Sequence, residues 1–339
     1  MVGKLSLLSL AAVAGVASAQ SIDYPGVVSS NENGPTNPDE PELGTDTPDD
    51  STARLLTVNN IDDFCIFGPK EADKTIGDTE SEQVAWCTQP RNNARLIPED
   101  TFTGLHFVKT PYYIQLQGWG DLTKIGVKDG DYGGELDPHG AEGNGNPVGG
   151  NVTSNITGDA VFYEEWMEFI SYEQFCLRVC TAADDMWDAS TMCEHKLDEM
   201  GCGFIMPGDY AGKQDEFISC DADAAFPPGV YPDGDGYSTF NQRYTGTITS
   251  NTYEVYTVGD TATPSAPYST PSSSNCATQS SLHMYVHTES ESDGPQSTSD
   301  DSGNSSTQAE NGDSGARNMA LGAIATVSIG LISAFAVLS

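Results

Sequence analysis

The sequence predicts an α+β fold: a β-rich half, sandwich or barrel-like, then a disulfide-linked helical hairpin, between a disordered leader and a Ser/Thr-rich stalk. Three observations lead there. Short β-branched and aromatic runs recur about every ten residues between Pro, Gly and Asp turns, the rhythm of a sandwich or barrel. Four cysteines, Cys176, Cys180, Cys193 and Cys202, sit in segments whose apolar residues recur at helical spacing. The flanks on either side are too polar and too rich in Pro, Ser and acid to offset the entropy of ordering them.

The elements follow in chain order. Lys4 precedes the apolar stretch Leu5 to Val16, which ends in Ala17-Ser18-Ala19. A charged start, an apolar segment of secretory length and a small-residue cleavage site predict a signal peptide over 1–19. Residues 20–54 carry acids and no Lys or Arg before Arg54, and are expected to be a disordered acidic leader. A globular domain is assigned to 55–258. Within it Val84 to Cys87, Leu105 to Val108, Tyr112 to Gln117 and Thr123 to Val127 are expected strands. Ile114 and Leu116 alternate with Gln115 and Gln117, as a strand with one buried face requires. From about residue 162 the expectation turns helical, over Tyr163 to Ile170, Tyr172 to Thr181 and Met192 to Met200, with Gly201 closing the last helix. Residues 259–318 have the Ser/Thr/Pro composition of an O-glycosylated stalk. The tail, 319–339, is apolar from Ala320 to Ser339 and follows small residues around Asn311. That pattern predicts exchange of the tail for a glycosylphosphatidylinositol (GPI) anchor at Asn311, the rival reading being a retained membrane span.

Eight cysteines remain after processing: Cys65, Cys87, Cys176, Cys180, Cys193, Cys202, Cys220 and Cys276. In an exported chain an even number reads as disulfides, and the spacings lack the paired knuckles of a zinc site. Two antiparallel helices would nest Cys180–Cys193 inside Cys176–Cys202, leaving Cys65–Cys87 and Cys220–Cys276 by default.

Fifty acidic residues against 14 basic ones give a formal net charge of −36. Such a charge repels nucleic acid and anionic membrane, so no nucleic-acid partner is expected and membrane contact is through the lipid anchor only. The expected location is extracellular, at the cell membrane or in the cell wall.

Several motifs then resemble a known family. Asp63 to Pro69, Val84 to Thr88, His106 to Tyr112, Gly133 to Gly140, Phe175 to Cys180 and Met200-Gly201-Cys202 are similar to secreted fungal proteins of the macrophage-activating glycoprotein family. The resemblance covers about 60–240 and implies an exported, glycosylated protein with an anchored tail. It carries no catalytic assignment.

The densest cluster of chemistry-bearing residues is the glycine-rich run Asp129 to Asn146. Asp129, Asp131, Glu135 and Asp137 on a bendable backbone are candidate Ca²⁺ ligands, since that ion takes about six to eight oxygens at irregular angles. The same run could supply the carboxylate pair of a glycoside hydrolase, or be an ordered surface loop whose acids cap turns. Asp233-Gly234-Asp235-Gly236 reads as a turn. Trp86, Trp119, Tyr112 and Tyr113 are candidates for stacking on cell-wall polysaccharide or surface glycans, although such residues are more often core, with Trp86 beside Cys87 placed to pack on a bridge and Trp119 expected at an exposed turn. Asn151, Asn155 and Asn304 head N-glycosylation sequons, and the first two would place their segment at the surface. No serine-hydrolase elbow, zinc-protease helix or phosphate loop is present. The expectation is a non-catalytic surface glycoprotein with a structural, adhesive or recognition role, the alternative being a carbohydrate-binding or carbohydrate-active protein.

Overall fold

A computed structural model describes residues 37–140, 143–249 and 253–285. The signal segment 1–19, the sequon at Asn304, the attachment site at Asn311 and the tail 319–339 lie outside the described residues.

The strands in chain order are β1 (Leu55–Asn60), β2 (Asp63–Gly68), β3 (Val84–Cys87), β4 (Arg95–Leu96), β5 (Phe102–Lys109) and β6 (Tyr113–Gly120). There follow β7 (Gly134–Leu136), β8 (Asn151–Ser154), β9 (Val161–Tyr163), β10 (Trp166–Ile170), β11 (Gln174–Cys180) and β12 (Phe217–Ala222). The chain then forms β13 (Val230–Asp233), β14 (Gly236–Thr239), β15 (Tyr244–Thr249), β16 (Tyr253–Val258) and β17 (Ser273–Gln279). Two sheets carry the fold: one in the order β4-β3-β2-β1-β8-β9, the other β17-β12-β5-β6-β11-β10-β7. Two hairpins, β13-β14 and β15-β16, stand apart from them.

The sheets face each other across one apolar core. Phe64 and Phe67 of the first meet Phe175 and Trp166 of the second, with ring centroids 6.1 and 5.2 Å apart. Gly118 in β6 is small because the Phe175 ring lies 2.1 Å from where a Cβ would stand. The core therefore extends to the backbone itself.

The domain is β-rich, as expected, but the helical hairpin is corrected. Residues Trp166–Ile170 and Gln174–Cys180 are the antiparallel strands β10 and β11. Short helical turns stand at Ala189–Met192 and Cys202–Ile205. The reason is arithmetic: i and i+4 share a face on a helix, but four is even, so they share a face on a strand too. The intervening residues decide. Phe175, Leu177 and Val179 point into the sandwich core, whereas Cys176 and Cys180 join a second apolar cluster on the far side of the sheet. That far side is covered by the segment after β11.

Disulfides hold the cover down. Cys180–Cys193 lies inside Cys176–Cys202, the nested pairing expected of a helical hairpin, here anchored on β11. Cys65–Cys87 links β2 to β3, and Cys220–Cys276 links β12 to β17. Beneath the cover Arg178 is fully buried. Its Nε and Nη2 donate to Gln115 Oε1 at 3.0 and 2.7 Å and its Nη1 donates to the Met192 carbonyl at 2.9 Å. The guanidinium sits 4.0 Å above the Tyr113 ring, an arrangement that satisfies a buried cation with polar and π partners.

Two boundaries also move. From Asn37 the leader is fixed to the domain rather than disordered: the Asn37 amide donates to the Gly149 carbonyl, and the backbone of Glu42 pairs with Asn92 in both directions. At the other end the domain runs past 258. Strand β17 pairs with β12, Leu282 and Met284 pack on the core, and the His283 backbone donates to Asp62 Oδ1 at 2.8 Å. Residues 259–285 are thus the closing part of the fold, and not the start of a free stalk.

Candidate functional site

Among the described residues, the acids of this run do not converge on one point. Asp129 is exposed in a turn. Asp131 accepts from the backbone N–H of Ile76 at 2.7 Å and from that of Gly133 at 3.3 Å, clamping the start of a short helix. Asp137 accepts from the N–H groups of His139 and Gly140 at 2.7 and 2.8 Å. Among the described residues no group of three or more His, Cys, Asp or Glu is arranged to hold a metal ion. The four predicted ligands are consequently divided: Asp131 is structural, Asp129 is solvated, and Glu135 and Asp137 face a pocket.

Local sequence explains how Glu135 comes to be there. Gly133 adopts φ +95°, and a Cβ at that position would stand 1.8 Å from the Ile170 carbonyl oxygen. Only glycine brings the chain this close to β10, where β7 then pairs Glu135 opposite Phe169. Residues two apart share a strand face, so Glu135 and Asp137 look the same way.

They open into a pocket of about 400 Å³, lined also by Glu80, Asn146, His195, Lys196, Asp198, Gln242 and Tyr244. Glu135 is 6% exposed, and neither of its carboxylate oxygens has a hydrogen-bond donor among the described residues. The side chain in reach of it is another acid, Asp198. Burial, and then the charge of Asp198, push the Glu135 carboxyl up to about 11, so it holds its proton at neutral pH. Glu80 is raised as well, chiefly by burial, while its Oε2 accepts from the Asn146 amide at 2.8 Å. At the edge His139 and His195 stack with centroids 4.3 Å apart; His139 Nε2 lies 3.1 Å from Glu165 Oε2 and His195 Nδ1 3.7 Å from Asp137 Oδ1.

Glu80, His195 and Asp198 are not legible as site residues in the sequence. They are remote from Glu135 along the chain, and the cue that exists, the three acids Glu194, Asp198 and Glu199 around His195, reads as an ordinary solvated face. The predicted aromatic platform is also redistributed. Tyr113 is buried under Arg178, and Trp86 is half-buried with Arg95 5.2 Å from its ring. Trp119 is no exposed turn residue: it lies in β6, half-buried, with its edge against His106 and Tyr210. Tyr112 hydrogen-bonds Asp184 through its hydroxyl.

The paired sequons separate. Asn151 is 3% exposed and Thr153 fully buried in β8, because that strand pairs in parallel with β1 inside the first sheet. Asn155, in the turn that follows, is exposed. The expectation that both sequons mark surface holds for Asn155 alone.

No described helix is long and apolar enough to cross a membrane. Comparison with known proteins finds no matching family model and no matching solved structure. The chain is 40% identical over 253 residues to the appressorium protein ROW1 of Mycosarcoma maydis, across 72% of this chain and 53% of that protein. It is 42% identical over 179 residues to the appressorium protein ROW2 of the same organism, across 52% of this chain and 60% of that protein. The chain therefore spans little more than half the length of these curated relatives, both of them fungal appressorium proteins.

Proposed function

We propose that this chain is an exported, GPI-anchored glycoprotein of the fungal cell surface or wall, acting by adhesion or recognition, in the same setting as its appressorium relatives. The observation that carries this reading is the cysteine chemistry. All eight cysteines are joined in four disulfides, which persist in an oxidising compartment and are rare in a reducing one. The signal-like start, the Ser/Thr-rich stretch and the apolar tail of the sequence support the same location, as does the resemblance of its motifs to the macrophage-activating glycoprotein family. Its partners in this reading are cell-wall polysaccharide or surface glycans. The test is treatment of intact cells with a phosphatidylinositol-specific phospholipase. Release of the protein into the medium is the expected result; retention on the cells, with the tail still attached, would refute the anchor.

A second reading is favoured by the pocket. Glu135, protonated beside other acids, is the arrangement of a general acid with a neighbouring carboxylate. Hydrolysis of a β-glucan or chitin oligosaccharide by the full chain, abolished by Glu135→Gln, would establish that reading in place of the non-catalytic one.

A further inference from the structure

The four disulfides differ in what surrounds them. Cys65, Cys87, Cys176, Cys180 and Cys193 are fully buried, and Cys202, half-buried, joins Cys176 against the second apolar cluster. Cys276 instead stands exposed in β17, bonded to Cys220 of β12. Strand alternation explains the position. Phe217 packs on the sandwich core, so Cys220, three residues along β12, points to the opposite face. Because β17 is the outermost strand of its sheet, Cys276 meets solvent where an inner strand would meet a neighbour.

The same bridge holds a segment with little packing of its own. Every residue of β17 except Gln279 is exposed. Its backbone ladder to β12 shifts register between Ser219 and Asp221, beside the bridge. Beyond β17, Leu282 and Met284 reach the core, yet a cavity of about 370 Å³ remains between them and the rings of Phe102 and Phe217. The last attachment is polar: Asp62 Oδ1 accepts from Gln279 Nε2 at 2.7 Å and from the His283 N–H at 2.8 Å. A segment held by exposed hydrogen bonds and few apolar contacts opens at low cost once its cross-link is cut.

We propose that Cys220–Cys276 is a redox latch: a dithiol reductant opens it ahead of the other three bridges, and the closing segment 273–285 then lifts from β12. The chemistry is thiol–disulfide exchange, which requires access to a sulfur. A thiolate of the reductant attacks Cys276 Sγ, the bond between the two cysteines breaks, and Cys220 leaves as a thiolate that takes up a proton. The second thiol of the reductant attacks the mixed disulfide and frees Cys276. Two electrons have then passed to the bridge, and the reductant is left as a disulfide. Release bares the edge of β12 and uncovers Phe102 and Phe217, a strand edge beside apolar rings that is suited to pairing with another chain.

The experiment treats the full chain with dithiothreitol at about pH 8, traps free thiols with N-ethylmaleimide and maps them by mass spectrometry. Cys220 and Cys276 should label together, at least about ten-fold faster than any other cysteine. Hydrogen exchange of the protein opened at this bridge alone should rise across 217–222 and 273–285 and stay unchanged in β10 and β11. The double variant Cys220→Ser, Cys276→Ser should show the same exchange pattern without reductant, which separates release of the segment from other effects of dithiothreitol. Earlier labelling of another pair, simultaneous labelling of all the cysteines, or an opened bridge with unaltered exchange would overturn the proposal.

Discussion

Replacing Glu135 by glutamine should make the protein more stable at neutral pH and remove much of its sensitivity to pH. The folded state holds the Glu135 proton to about 11, against an ordinary value of 4.5 in the unfolded chain. A carboxyl raised in this way contributes fully below the unfolded value and progressively less as pH rises toward the folded one. Between pH 4.5 and 7 the unfolded chain gives up the proton while the folded chain keeps it, at a loss of about 1.4 kcal/mol per pH unit. By pH 7 the loss is about 3 kcal/mol. The glutamine side chain cannot ionise, and its amide can donate to Asp198. The variant should therefore match the parent near pH 4 and exceed it at pH 7 by about 3 kcal/mol, or roughly 6–12 °C in Tm for a domain of this size. Thermal melts of both proteins from pH 4 to 8 read this directly. Parallel pH profiles, or a variant less stable at pH 7, would refute the burial argument.

Other consequences are equally open to measurement. Asn155→Gln should remove one N-glycan by mass spectrometry of the secreted protein, whereas Asn151→Gln should leave the glycan mass unchanged, because Asn151 lies inside β8. Replacing Cys220 and Cys276 together by alanine frees β17 from β12 and opens a loop of sequence separation 56, which should cost about 2–4 kcal/mol in urea unfolding. Gly118→Ala drives a methyl group into the Phe175 ring and should cost at least about 1–3 kcal/mol in the same assay. An unchanged midpoint in either unfolding experiment would contradict the packing described.

What is legible in the sequence is local. Turn residues and alternating apolar residues mark β5 and β6 because their signals lie within single strands. The nested pairing is expected from an antiparallel helix pair that does not form; it arises because β11 puts Cys176 and Cys180 on one face and the segment after it folds back over that face. The expected helix is a misreading of an even-numbered spacing, resolved only by Leu177 and Arg178 facing opposite sides. The docked leader is hidden because its polar groups are satisfied from far along the chain, Asn37 by Gly149 and Glu42 by Asn92. Glu135 and Asp137 are visible as acids in a glycine-rich run. Their partners are not, since Glu80 and Asp198 reach the pocket through the tertiary fold and carry no pattern that distinguishes them from other surface acids.

The surface assignment is tested most directly by mass mapping of the mature protein purified from fungal membranes. The account predicts a C-terminal peptide ending at Asn311, or within the neighbouring small residues, and carrying a glycolipid remnant, with no peptide from Ala320 onward. Recovery of intact Ala320 to Ser339 peptides from the membrane-bound protein would contradict it.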